Sequence, residues 1–225
     1  MIKIKYVMSD LHGCYDEYIK MLELINFNSN DELYILGDIF DRGDKPLEIL
    51  DHVVGHNNIH LIKGNHEKMF ENAYKSYLDM QLWYYNGGMK TDKEINKSKN
   101  FTKKAIYKYI KTLPIIKIVD NFILVHAGLY LPNNYNKLTI DEIIKLQKED
   151  YCLWGRSFIG NEIKLKNYTI VVGHTPVQTI TKDCKNNPKI LHKNGTIYID
   201  CGCVFKNANG RLSCLRLDDM KEFYV

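Results

Sequence analysis

Short apolar, β-branched runs recur along the chain, at 33–36 (LYIL), 59–62 (IHLI), 115–119 (IIKIV), 122–125 (FILV), 169–172 (TIVV), 196–199 (TIYI) and 212–217 (LSCLRL). Each is too short for a stable helix, so each predicts a strand. The N-terminal stretch MIKIKYVMSD alternates apolar Ile2, Ile4, Tyr6 and Met8 with polar or small positions, which predicts a first strand with one buried face. Elsewhere the period is helical. Tyr15, Ile19, Leu22 and Ile25 share one face of YDEYIKMLELIN, and Leu47, Leu50 and Val54 do so after Pro46, a residue suited to a first helical turn. From about Glu67 to Leu113 the pattern is helical and rich in Tyr and Lys. Helices alternate with strands early and strands dominate late, so the fold class expected is α/β, a sandwich that does not alternate throughout. No repeat, low-complexity tract or linker divides the chain, and residues 1–225 are expected to form a single domain.

Composition narrows the partners. With 225 residues, 45% hydrophobic and 26% charged, the chain can bury one substantial core, and its net charge of +4 is far from the density of a dedicated nucleic-acid binder. Eight lysines fall between Lys90 and Lys111 against Asp92 and Glu94. They lie mostly off the apolar face formed by Phe101, Ala105, Ile106, Tyr109 and Ile110, so a solvated helix face is expected there instead of a nucleic-acid patch. No run approaches membrane-spanning length and the N-terminus lacks a signal-peptide core. Six scattered cysteines in a chain of this size fit a reducing compartment, and a cytoplasmic location is expected. Cys201 and Cys203 form a C-x-C pair that on a strand would face one side; ordinary buried thiols are the expectation, a metal or redox role the alternative.

The chemistry sits at the strand ends. VMSDLHG (7–13), LGDIFDRG (36–43), IKGNHE (62–67), VHAG (125–128) and VGHTP (172–176) each follow an apolar run. In open α/β sheets the loops beyond the carboxyl ends of strands gather at one edge, so five such loops can converge. They supply Asp10, His12, Asp38, Asn65, His66, His126 and His174, an oxygen and imidazole set without thiolate that suits Mn, Fe or Zn. The number of ligands predicts two ions, which require a bridging carboxylate, several imidazoles and a cationic group for phosphoryl oxygens. GDIFDRGD (37–44) also crowds Asp38, Asp41 and Asp44 around one arginine, which is costly unless a cation is bound. A lone GNHE or GHTP reads as a turn. Five fixed positions of GDxxDRG, by contrast, arise by chance in a chain of this length with probability on the order of 10⁻⁴.

In this order, SDLHG, GDIFDRG, GNHE, HAG and GHT resemble the motifs of the phosphoprotein phosphatase family of binuclear metallophosphatases, and the compact length resembles its bacterial and phage serine/threonine branch. The resemblance implies a calcineurin-like metallophosphoesterase fold, a central β-sandwich flanked by helices. It implies that Asp10 and His12 hold the first metal, that Asp38 bridges, and that Asn65, His126 and His174 hold the second, with two divalent ions, Mn first and Fe or Zn as alternatives. Arg42 would grip the phosphate, and His66, oriented by Asp41, would protonate the leaving oxygen. Arg156 of LWGRS, the only arginine between His126 and His174, is matched to the second phosphate arginine. Ser9 and the HAG box depart from the residues many members carry but remove no ligand. The activity implied is a metal-dependent phosphomonoesterase in which a solvent molecule shared by both ions attacks phosphorus directly. Phosphoserine and phosphothreonine in proteins are the first substrate expected, with symmetrical hydrolysis of dinucleoside tetraphosphates as the alternative and an inactive binding module of the same fold as a third reading. No C-x₅-R string supports a cysteine-phosphatase route. Asp44 is expected to cap the helix after Pro46 or to lie on the surface. WYYNGGMKT (83–91) is expected to be a helix stop with Gly87 or Gly88 left-handed, the alternative being a rim that stacks on a base or peptide.

Overall fold

The computed structural model describes residues 3–225. In chain order, β1 (Lys5–Met8), α1 (Tyr15–Leu24), β2 (Glu32–Ile35), α2 (Pro46–Gly55) and β3 (Ile59–Leu61) alternate. A helical block follows, α3 (Asn65–Ala73), α4 (Tyr77–Trp83), α5 (Met89–Lys97) and α6 (Lys103–Thr112). Then come β4 (Ile116–Val119), β5 (Phe122–Val125), α7 (Ile140–Lys145), α8 (Glu149–Trp154), β6 (Thr169–Val172), α9 (Val177–Ile180), β7 (Leu191–Lys193), β8 (Thr196–Tyr198), β9 (Ser213–Arg216) and β10 (Glu222–Tyr224).

These strands form two five-stranded sheets, ordered β10-β9-β1-β2-β3 and β4-β5-β6-β8-β7. Each has three parallel strands, β1-β2-β3 in one and β5-β6-β8 in the other, edged by antiparallel neighbours. Successive side chains on a strand point to opposite faces, and here both faces are covered. Val7, Tyr34, Leu36, Phe122, Leu124, Val171 and Ile197 meet between the sheets. Tyr6, Met8, Leu33 and Ile35 point outward to Tyr18, Met21, Ile49, Leu50, Phe70 and Ile106 of the helices. Ile123, Val125, Ile170, Val172 and Tyr198 point the other way, to Ile143 and Cys152. The result is helix, sheet, sheet, helix, the calcineurin-like arrangement expected.

Several local expectations change. β1 is buried on both faces at Tyr6, Val7 and Met8, because helices cover one face and the second sheet the other; Ile2 lies outside the described residues. The buried stripe of α1 is Tyr18 and Met21 with Ile25, while Tyr15, Ile19 and Leu22 flank it. In α2 it is Pro46, Ile49, Leu50 and Val53, and Val54 is exposed. In α6 only Ile106 and Ile110 are buried and Ala105 is exposed. Lys90 and Lys97 pair with Asp44 and Glu94 on the surface, and Lys103 reaches inward to the buried Asp92. Asp44 therefore serves the surface, not the cap, and Lys45 holds the N-cap position of α2. Cys201 and Cys203 are not on a strand, and they are buried in different clusters. Among the described residues no helix is long and apolar enough to cross a membrane.

Candidate active site

The carboxyl ends of all six parallel strands open onto one edge. β1 leads to Asp10 and His12, β2 to Asp38, Asp41 and Arg42, β3 to Asn65 and His66, β5 directly to His126, and β6 to His174. β8 leads to Asp200, a carboxylate not assigned from the sequence. The loops interlock closely. A Cβ on Gly37, whose φ is +82°, would lie 2.4 Å from Gly64 Cα and 3.0 Å from His126 Nδ1, and one on Gly173 would lie 2.3 Å from Asp10 Oδ2. Six of the predicted residues, Asp10, His12, Asp38, Asp41, Arg42 and His174, hold left-handed backbone with φ from 42° to 69°. Such conformations cost of order 1–3 kcal/mol each and persist where the surroundings over-determine them.

Asp38 lies at the centre. Its carboxylate groups with His12 and His66 on one side and with His126 and His174 on the other, the ligating atoms of each set lying within 4.8 Å. Asp38 Oδ2 is 3.7 Å from His12 Nε2 and 3.5 Å from His126 Nε2, while Oδ1 accepts the His66 backbone amide at 2.9 Å. His12 Nδ1 donates to Phe40 O (2.9 Å) and His126 Nδ1 to Leu36 O (2.6 Å), which leaves both Nε2 atoms unprotonated, each with a lone pair to offer as an acceptor or ligand. Asn65 Oδ1, His126 Nε2 and His174 Nδ1 then converge at 2.8–3.2 Å, three acceptor-capable atoms with at most one proton among them. His174 Nε2 is buried with no partner among the described residues. Asp10 borders this group, its Oδ2 accepting the His174 amide at 2.9 Å.

Asp41 and Arg42 form the second part. Asp41 is fully buried and accepts His66 Nδ1–H at 2.6 Å. Arg42 donates from one guanidinium nitrogen to His12 Nε2 at 2.7 Å and from another to His66 Nε2 at 2.9 Å, and lies 5.6 Å from the Phe205 ring. Arg156 is exposed at the rim, with Nε donating to Thr175 Oγ1 at 3.1 Å, next to His174.

Three supporting side chains escaped sequence reasoning. Glu67 is fully buried and accepts three backbone amides, those of Asp38 and Gly64 at 2.8 Å on Oε2 and that of Ile39 at 3.0 Å on Oε1. Trp83 Nε1 donates to Asp41 Oδ2 at 2.8 Å and Thr91 Oγ1 to Asp41 Oδ1 at 2.7 Å. The 83–91 segment thus does turn at Gly87, whose φ is +104°, but it also reaches the site: Gly87 O accepts the Arg42 amide. The two glycines were legible as a turn; a Trp and a Thr at helical spacing carried no signal of their own.

The electrostatics fit a bound cation. Burial, reinforced by the charges of Asp10 and Glu67, holds the Asp38 carboxyl well above the ordinary range, and burial with Asp10 does the same to Asp200. Burial pushes Asp41 up to about 7 against the hydrogen bonds from Thr91 and Trp83. Burial, then neighbouring cationic groups, holds His12, His66 and His174 below the ordinary imidazole value. Neutral imidazoles beside carboxylates that lack compensating charge are the donor set a divalent ion requires.

A sequence model of calcineurin-like phosphoesterases matches residues 6–202. A symmetrical bis(5'-nucleosyl)-tetraphosphatase of Psychromonas ingrahamii is 28% identical, aligned over 97% of this chain and 95% of its own length. The asymmetrical enzyme PrpE of Anoxybacillus flavithermus is 26% identical over 97% of this chain and 92% of its own. Another symmetrical enzyme, from Wigglesworthia glossinidia brevipalpis, is 31% identical over 72% of this chain, and the match spans about half of that relative, 53%. Among solved structures, a serine/threonine phosphatase from Saccharomyces cerevisiae superposes with a TM-score of 0.58 at 14% identity, covering 99% of this chain and 79% of that one, a likeness of fold alone.

Proposed function

Because this chain belongs to the calcineurin-like phosphoesterase family, whose members are binuclear divalent-metal hydrolases, we propose that it cleaves dinucleoside tetraphosphates symmetrically into two nucleoside diphosphates. The observation that carries the substrate is the alignment over nearly the whole of both chains with bis(5'-nucleosyl)-tetraphosphatases, and the symmetrical cut is put first on the slightly higher identity of the symmetrical enzyme, 28% against 26%. This puts first the substrate that the sequence alone put second, ahead of phosphoserine and phosphothreonine.

In this reading Asp10, His12 and Asp38 would hold one ion and Asn65, His126 and His174, with Asp38, the other, and Mn²⁺ is the metal to load first. Two such ions supply positive charge for the phosphoryl oxygens and a water of lowered pKa. The protein's own groups do the rest. Arg42, and Arg156 from the rim, orient the polyphosphate and neutralise charge spreading over its equatorial oxygens; one such group is typically worth 10²–10³ in rate. Arg42 also donates to His66 Nε2, so the imidazole stays neutral while that contact lasts. When an anionic phosphate draws Arg42 away, Nε2 is freed beside a negative charge that favours its protonation, and Asp41 holds the opposite nitrogen in register. His66 then gives its Nε2 proton to the departing oxygen.

The test is turnover of diadenosine tetraphosphate beside a panel of phosphoserine and phosphothreonine peptides, at equal enzyme and Mn²⁺, with products separated by anion exchange. The expected product is ADP alone, with kcat/KM at least tenfold above any peptide. ATP with AMP would assign the asymmetrical cut, and peptide turnover with the tetraphosphate intact would refute the substrate class.

A further inference from the structure

Cys14 and Cys203, far apart in the chain, meet beside the site. Cys14 holds the N-cap position of α1, two residues beyond His12, and its thiol is half-buried. Cys203 is buried in the loop that follows β8. Their sulfurs and a Glu17 carboxylate oxygen lie within 4.8 Å of one another. Glu17 is already engaged by Lys206 Nζ at 2.8 Å, which leaves a dithiol and not a metal-ligand triad. Cys14 also lines an open cleft of about 340 Å³ with Arg42, Lys45, Lys90 and Lys206, so a dissolved oxidant reaches it.

We propose that Cys14 and Cys203 are a reversible oxidation site that forms a disulfide with peroxide and thereby disables the adjacent centre. The Cys14 sulfur attacks one peroxide oxygen, the O–O bond breaks, and a sulfenic acid and one water result. The Cys203 sulfur then displaces that hydroxyl as a second water and the S–S bond forms. Two thiols are oxidised and one peroxide is reduced, with both thiol hydrogens leaving in water. A disulfide needs its sulfurs about 2.05 Å apart, so the Cys14 segment must shift toward Cys203. That segment is tied to the site: Cys14 N donates to Leu11 O, His12 N to Asp38 O and Gly13 N to Ile39 O, at 2.8–2.9 Å. A Cβ on Gly13 would lie 2.8 Å from the Gly43 backbone, so the shift cannot be absorbed there. It passes to His12 and the Asp38 loop.

The test treats the Mn²⁺-loaded protein with peroxide, alkylates it and maps its peptides without reduction. Expected are a Cys14–Cys203 linked peptide, an intact mass lower by two hydrogens, and at least tenfold loss of nitrophenyl phosphate hydrolysis, all reversed by dithiothreitol. Cys14→Ser and Cys203→Ala, each with circular dichroism matching the parent, keep their activity in peroxide. The crosslink is read without reference to substrate, so it stands apart from the tetraphosphate assignment. Absence of the linked peptide, equal inactivation of Cys203→Ala, or thiols shielded by added Zn²⁺ without any crosslink would each overturn the proposal.

Discussion

Glu67→Gln removes a charge from the point where the central carboxylate loop is pinned. The native carboxylate accepts from Asp38 N, Gly64 N and Ile39 N, all buried and at 2.8–3.0 Å. A glutamine oxygen placed at Oε2 keeps two of these bonds, now to a neutral acceptor, while its NH₂ faces the Ile39 amide, donor against donor. A hydrogen bond to a charged group contributes about 1.5–3 kcal/mol, and a stranded buried donor costs about 1–3 kcal/mol, two overlapping effects that together give a loss of about 2–4 kcal/mol. Total stability is about 5–15 kcal/mol, so this is a large fraction of it. For a chain of this size the melting midpoint should fall by about 4–16 °C. Because Asp38 N is one of the three donors, the same change should loosen the metal centre, so elemental analysis after dialysis should find less Mn²⁺ than in the parent. Thermal unfolding monitored by circular dichroism, with metal content measured on the same sample, tests both. A midpoint and a metal content both equal to the parent's would refute the assignment of Glu67 as the pin of this loop.

Asp38→Asn should lose bound metal and activity together, by at least 10²-fold in rate; full activity in metal-free protein would contradict the two-ion reading. General acid catalysis contributes typically 10²–10⁴-fold, so His66→Asn should depress hydrolysis of a serine phosphate far more than that of nitrophenyl phosphate, whose leaving group needs no proton. Asp41→Asn should behave as a milder form of the same variant, and equal losses on both substrates with metals retained would remove His66 from the acid role. Burial alone would raise Glu71, but hydrogen bonds from Lys63 (3.1 Å) and Lys75 (3.2 Å) outweigh it and hold the carboxyl below its ordinary 4.5. A depressed folded pKa adds stability above the unfolded value and loses it as pH falls through the folded one. The stability gap between the parent and Glu71→Gln should therefore be full above about pH 4.5 and close below it, and a gap unchanged down to pH 2 in denaturant titrations would count against the network.

The parts that were legible in the sequence share a physical property: they have no use in a bare fold. A buried carboxylate such as Asp38 shortly after LYIL, or an imidazole directly after FILV, raises the energy of the protein alone, so its presence points to something bound; Asp44 of the same run is instead a surface residue paired with Lys90. The supports were hidden because each is locally ordinary. Glu67 at the third position of α3, reaching back to the Gly64 amide, is the usual pattern of a capped helix, and nothing in GNHE says that the same carboxylate also holds the Asp38 and Ile39 amides from another strand end. Trp83 and Thr91 meet Asp41 only because Gly87 turns α4 into α5 over Arg42, a tertiary event without local periodicity. The misplaced stripe of α2 has a related cause. Leu47, Leu50 and Val54 form a valid apolar face, but a helix packed on a sheet and also touching α5 buries a wider arc, and the arc centres on Ile49 and Val53, about 100° away for each position of shift. Strands β7 and β10 were missed because three residues such as LHK or EFY, half-buried at a sheet edge, alternate too briefly to exceed chance. Local pattern therefore locates the groups that react, and tertiary contact alone reveals what holds them; the side chains most exposed to error in a sequence reading are the ones whose substitution, as at Glu67, should disturb the centre without touching a ligand.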